Sequence, residues 1–236
     1  MINENIAASF GMPEITVISD YSITPEIAEK CYNMGEVTYY SDTLVDLQTY
    51  KNKFHAVPDF CFVFMHKETN QPVGYFIILP LTDDAIMRYM KNQVSFNTLK
   101  PSDLQSIEPE QFYNLYFDTD VLYKQYRTQE MKNLLFSLIA NAMIEHARNF
   151  SFCNYILIDG YKDFSKVLAK SLNTKYLTTH KYDNGVESDL YGETFDYAIF
   201  EDLQIYSTIE FAYNNLYAKR FLKEAKDLWQ ECKTHT

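Results

Sequence analysis

Glycine and proline are scarce, 6 and 7 among 236 residues, so no Gly/Pro-rich linker divides the chain and one domain is the first expectation at this length. Cysteine is equally sparse. Cys31, Cys61, Cys153 and Cys232 lie far apart without a C-x-x-C pair, which excludes a zinc knuckle or dithiol redox motif and fits a reducing cytoplasm. His55, His66, His146, His180 and His235 lack metal-ligand spacing such as H-x-x-x-H, so no metal is expected. No apolar run approaches the ~18 residues of a spanning helix. The first eleven residues include Glu4 and no basic residue, so neither secretion nor membrane insertion is expected. Positive charge is also in deficit. With 21 basic against 32 acidic residues, the formal charge of −11 repels nucleic acid and anionic membranes and attracts a basic partner, an amine-bearing small molecule or a Lys-rich protein.

What is abundant is apolar and aromatic. Hydrophobic residues make up 47% of the chain, with 20 Tyr and 17 Phe, enough for a core without a folding partner. Residues 14–19 read as a first strand, and Thr24-Pro25-Glu26 starts a helix to about Met34. Ser41-Asp42 caps a second helix through Lys53, and Phe60 to His66 is an apolar run of strand length. A polar turn joins it to Pro72–Pro80 as an antiparallel hairpin. A short helix over 83–94, a loop over 98–111 placed to cover a site, and a long strand over 112–123 follow. Met131, Leu134, Leu135, Leu138, Ala142 and Met143 carry helical spacing through residues 128–149, and Tyr155 to Ile158 follows as a parallel strand. Then come a helix over 163–172, a strand over 175–182, an Asn184-Gly185 turn and a strand over 194–201. The last segment places Tyr213, Leu216, Tyr217, Phe221, Ala225, Leu228 and Cys232 along one side of a helix. The expected division is therefore a domain over 1–207 with a helical extension over 208–236, packed on that domain or on a second subunit.

That element order, and the stretch Val-Leu-Tyr-Lys-Gln-Tyr-Arg-Thr-Gln-Glu-Met-Lys-Asn-Leu-Leu from Val121 to Leu135, resemble the GNAT superfamily of acyl-CoA-dependent N-acyltransferases over most of the chain. The resemblance implies an α/β fold with a mixed central sheet flanked by helices, and acetyl-CoA or another acyl-CoA as cosubstrate. The family pattern Arg/Gln-x-x-Gly-x-Gly/Ala is met by Arg127 but departs at Glu130 and Lys132. In the family this turn aims backbone N–H groups and a helix dipole at the pyrophosphate. The implied cofactor-binding residues are Leu122, Tyr123, Arg127, Thr128, Gln129, Glu130, Met131 and Lys132, with Leu122 and Tyr123 as backbone donors to the thioester carbonyl.

Asp118 and Asp120 lie two apart on the same strand, so they share a face. By resemblance either is a candidate general base, beside a plainer role as solvent-facing carboxylates. The family's acidic Tyr, which protonates the departing thiolate, falls at Ala169 here. Tyr161 is the candidate in its place, with Tyr176 as an alternative. Arg127 and Lys132 also read as a solvated face, and Glu130 as an acid favoured by the helix start. Two functions follow: acyl transfer to an amine, or a GNAT-like module that has lost catalysis and binds or regulates, with a homodimer among the possible assemblies.

Overall fold

Runs that are apolar on every residue become the middle of a sheet, because only a strand covered on both faces tolerates them. The computed structural model describes residues 6–19, 22–38, 46–56, 58–95, 98–160, 163–181, 185, 187–200 and 206–234. In chain order it contains α1 (Ile6–Ser9), β1 (Ile15–Ser19), α2 (Pro25–Thr38), α3 (Leu47–Ala56), β2 (Cys61–His66), β3 (Gln71–Leu81) and α4 (Asp83–Met90). β4 (Phe112–Leu122), α5 (Gln129–Arg148), β5 (Phe152–Gly160), α6 (Asp163–Ser171), β6 (Lys175–Lys181), β7 (Glu187–Thr194) and α7 (Tyr206–Thr234) follow. The seven strands run β1-β2-β3-β4-β5-β7-β6. Only β4 and β5 are parallel neighbours.

Each face of the sheet has its own core. On one, Met131, Leu134, Leu138 and Met143 of α5 and Leu168 of α6 cover Phe64, Ile78, Leu115 and Ile158. On the other, Ala28 and Cys31 of α2, Tyr50 of α3 and Tyr89 of α4 cover Val63, Tyr75, Tyr116 and Leu157. β3 carries two prolines, which cannot donate to a ladder. Pro72 sits where the β2–β3 register shifts, and Pro80 lies beyond Ile77, the last β3 residue paired with β2. Thr128 accepts from the Met131 N–H at 3.3 Å and starts α5.

One expected strand is overturned. Of the strand expected over 194–201 only Thr194 is extended, as the last residue of β7, Glu187–Thr194; Tyr197–Phe200 forms a 3-10 turn, and residue 201 lies outside the described residues. A hairpin must resume pairing directly after its turn, so the polar-looking Glu187–Thr194 is the paired strand, burying Ser188, Leu190 and Gly192 toward the sheet. The aromatic residues beyond it serve tertiary packing: the Tyr197 hydroxyl accepts from the Cys153 N–H at 2.5 Å, and its ring lies 5.0 Å from that of Phe195. The second helix begins at Leu47, and its expected Ser41-Asp42 cap lies outside the described residues. β5 also runs on to Gly160, two residues past its expected end.

α7 buries apolar side chains through its first turns, and Lys219 and Arg220 reach back to Glu110 and the Phe112 ring beyond them. Ile209, Ala212 and Leu216 are buried, and the Tyr213 ring packs 5.9 Å from Phe112 and 5.5 Å from Phe152. Burying Ile209 and Leu216 contributes roughly 3–6 kcal/mol before ordering costs. Of the expected stripe, Tyr217, Phe221 and Ala225 are exposed in the single chain, while the Leu228 and Cys232 side chains lie outside the described residues. No helix among the described residues is long and apolar enough to cross a membrane.

Candidate functional site

Parallel strands joined by a helix need not stay paired to their ends, and β4 and β5 do not. Their register ends at Phe117↔Ile158, while β4 continues to Leu122 and β5 to Gly160. On its other edge β4 stays paired with β3 through Leu122, with one irregularity: Ile77 pairs Thr119 and Ile78 pairs Phe117, leaving Asp118 as the extra residue of a bulge. The strand therefore bends where it leaves β5, and residues 118–122 present an open edge.

Ladder alternation decides which amides point into that opening. The Tyr123 N–H donates to the Val73 carbonyl at 3.0 Å, so the preceding pair, Gly74↔Leu122, is a non-hydrogen-bonded one. The Leu122 N–H accordingly faces away from β3, on the open edge, whereas that of Tyr123 does not. Such pairs bring backbones close. A Cβ on Gly74 would lie 2.9 Å from the Val121 carbonyl oxygen, so glycine is required opposite Leu122.

The start of α5 borders the same opening. Arg127 folds back, its Nε donating to the Leu122 carbonyl at 3.0 Å. Lys132 N–H closes onto the Thr128 carbonyl at 3.1 Å and Met131 N–H onto the Thr128 hydroxyl, which leaves Gln129 and Glu130 as the uncommitted amides of the first turn. Glu130 meets one of these itself: its own backbone N–H and the Thr128 hydroxyl hold its carboxyl below the usual range. The carboxylate thus occupies a donor that a phosphate would use. Gln129 pairs sideways with Asn133 at 2.7 Å, and Met131 is buried in the core.

Beneath the opening, on the α4 face, lies a buried polar cluster that sequence reasoning did not single out. Tyr116 of β4 and Tyr89 of α4 share a 2.5 Å hydroxyl contact, and the Tyr89 hydroxyl donates to Asp159 Oδ2 at 3.1 Å. Since Tyr89 spends its proton on Asp159, Tyr116 donates to Tyr89. Ser188 of β7 donates to the other Asp159 oxygen. Asp159 is two residues past Leu157 and just beyond the last β4–β5 pair, so the carboxylate faces the side chains of Tyr116 and Tyr89 where the strands part.

His180 of β6 completes the cluster. Its ring stacks on Tyr89 at 5.1 Å and is 1% exposed. Neither ring nitrogen makes a well-formed hydrogen bond among the described residues. Burial pushes its pKa below the ordinary histidine value, with a weak approach to the Tyr89 backbone opposing the shift, so the ring is neutral near pH 7.

The remaining candidates are placed less completely. Asp118 and Asp120 are in β4, at the bulge and opposite Phe76, but their side chains lie outside the described residues, as does Tyr161. Tyr176 is exposed, on β6 with its hydroxyl 2.9 Å from Thr179. Ala169 is buried in α6. Among the described residues no three His, Cys, Asp or Glu side chains lie close enough to hold a metal ion. The missed cluster left one trace in the sequence, an Asp-Gly pair at the end of an apolar strand.

No family model and no curated protein matches this sequence. Solved structures match its shape. Naa50 of Arabidopsis thaliana, in complex with the bisubstrate analogue CoA-Ac-MVNAL, aligns at TM-score 0.51 and 10% identity over 77% of this chain and 99% of that one. The loading GNATL domain of CurA from Lyngbya majuscula aligns at TM-score 0.50 and 9% identity over 76% and 97%. At such identities the likeness is one of fold: this chain has the GNAT-like α/β fold, a mixed sheet flanked by helices with an added C-terminal helix.

Proposed function

We propose that the protein is an N-acyltransferase that takes an acyl group from acetyl-CoA or a longer acyl-CoA and passes it to an amine. The observation that carries this reading is the parting of β4 and β5 beyond Phe117↔Ile158, which leaves the Leu122 N–H without a β5 partner, five residues ahead of the turn into α5. Leu122 N–H polarises the thioester carbonyl, and the α5 turn from Arg127 to Lys132 receives the pyrophosphate. The amine nitrogen bonds to the acyl carbon as the carbon–sulfur bond breaks; the amine's proton goes to a base and the thiolate gains one. Asp118 or Asp120 accepts the first proton, or Asp159 does through the Tyr116–Tyr89 hydroxyl chain. Tyr161, which follows Gly160 in sequence, supplies the second.

The charge of −11 supports a cationic acceptor, a small amine or a basic protein. The free thiols of Cys31, Cys61 and Cys153 are in keeping with a reducing cytoplasm.

The Glu130 carboxylate on its own amide favours a second reading, a GNAT-like binding or regulatory module without catalysis. Calorimetry with coenzyme A, together with acetyl transfer to spermidine and to a Lys-rich peptide, separates the two. Binding with transfer, reduced about 10²-fold by replacing the active aspartate with asparagine, supports the enzyme. Absence of coenzyme A binding both in the native chain and after Glu130→Gly/Lys132→Gly removes it.

A further inference from the structure

At the other end of the sheet, the starts of α4, β4 and β5 and the middle of α7 enclose a cavity of about 630 Å³, within the size range of small-molecule sites. β4 runs from Phe112 at this cavity to Leu122 at the β4–β5 opening, roughly 33 Å of extended chain. The cavity is therefore separate from the acyl-transfer site proposed above. Its two walls carry opposite chemistry.

The wall formed by the sheet and the loop before it presents acceptors. Asn114, 3% exposed, fixes their orientation: its Nδ2 donates to Asp83 at 2.7 Å and to the Leu81 carbonyl at 3.3 Å, so its Oδ1 faces the Asn154 Nδ2, 3.5 Å away. Gln105 donates to the Phe112 carbonyl and Gln111 to the Ser106 carbonyl, both at 2.9 Å. Asn154, Gln105 and Gln111 thus turn their nitrogens into the fold. Among the described residues their side-chain oxygens, and the second oxygen of Asp83, accept from no donor.

The α7 wall presents donors. Lys219 is committed to Glu110 at 2.8 Å. Arg220 lies over the Phe112 ring and gives Nε to Glu224 at 3.1 Å, which leaves its terminal nitrogens. Lys223 pairs with no carboxylate among the described residues. A ligand that satisfies both walls carries an anionic group at one end and donors at the other.

We propose that this cavity binds a free amino acid with an amide side chain. Its carboxylate meets Arg220 and Lys223, and its α-ammonium meets Asp83 and Asn154, which Asn114 holds together. The oxygens of Gln105 and Gln111 take the N–H groups of the side-chain amide. A cationic side chain is disfavoured there, because Lys219, Arg220 and Lys223 outnumber Asp83 and Glu110 around the cavity.

Thermal melting of the full chain in L-glutamine or L-asparagine at about 10 mM is expected to show a rise of about 3 °C with at least one of them. γ-Aminobutyramide, which is glutamine without its carboxylate, and glutarate monoamide, which lacks the ammonium, are expected to give no rise. Lys223→Ala and Asp83→Asn are each expected to abolish it. Lys223 is exposed, so its variant should melt with the native chain when no ligand is present. No rise with either amino acid overturns the proposal. So does an equal rise with glutarate monoamide, or a rise that survives Lys223→Ala. None of these residues borders the β4–β5 opening, so coenzyme A binding and this result fail separately.

Discussion

The opening between β4 and β5 has two unlike sides. On the α5 side the donors are backbone amides at an exposed helix start, and a neighbouring carboxylate already meets one of them. On the α4 side the polar groups are buried side chains from three strands and a helix, joined through Asp159. The difference teaches how each side responds to change. Backbone donors survive almost any substitution and are tuned by what crowds them. A buried network depends on every member, since a hydroxyl that loses its acceptor away from water costs the desolvation it can no longer recover.

The largest effect should come from breaking the buried side. Asp159→Ala removes the acceptor of both Tyr89 and Ser188, and a loss of about 3 kcal/mol or more is expected, read as a lowered midpoint in urea unfolding. Tyr116→Phe, which removes only the donor at the end of the chain, should cost about 1 kcal/mol. If the two variants unfold at the same midpoint, Asp159 is not the hub of the cluster.

A smaller effect of opposite sign is expected on the exposed side. Glu130→Gly frees an amide, removes a like charge and should tighten coenzyme A binding about tenfold, or 1.4 kcal/mol, measured by calorimetry. Arg127→Ala should weaken it. Tightening by Asp159→Ala instead would show that the two sides do not act separately.

The smallest effect sharpens the contrast through pH. Because burial holds the folded His180 below its unfolded value, the unfolded chain binds the extra proton between the two. The resulting stability is present above about pH 6.5 and is lost as pH falls through the folded value. His180→Phe keeps the stack on Tyr89 and removes the titration. Its melting temperature should therefore decline less steeply than the native one below about pH 6.5, and parallel curves would show that the ring is not held neutral.

Local chemistry made much of this fold legible. The β2–β3 hairpin, the long β4, the capped α5 and the parallel β5 follow from apolar runs and from Thr128 at a helix start. The strand misplaced to 194–201 shows the limit. Phe195 and Tyr197 have strand-like side chains, yet they are drawn into the aromatic cluster of Phe152 and Tyr213, while Glu187–Thr194 pairs because it leaves the turn first. Asp159 was illegible for a related reason. A carboxylate at the end of an apolar strand reads as the strand's boundary unless the hydroxyls that satisfy it are known, and those come from positions 89 and 188.

What the sequence determined by itself was whatever depends on near neighbours: element order, the Arg127–Lys132 turn with its missing glycines, and the acidic charge. Tertiary structure decided where β4 leaves β5, which of two adjacent amides faces the opening, and how Tyr89, Tyr116, Asp159, His180 and Ser188 meet. Periodicity and capping act within a few residues of chain. A strand's departure from its neighbour, and a hydrogen bond between residues 70 apart, depend on how the whole sheet twists and which helices cover it.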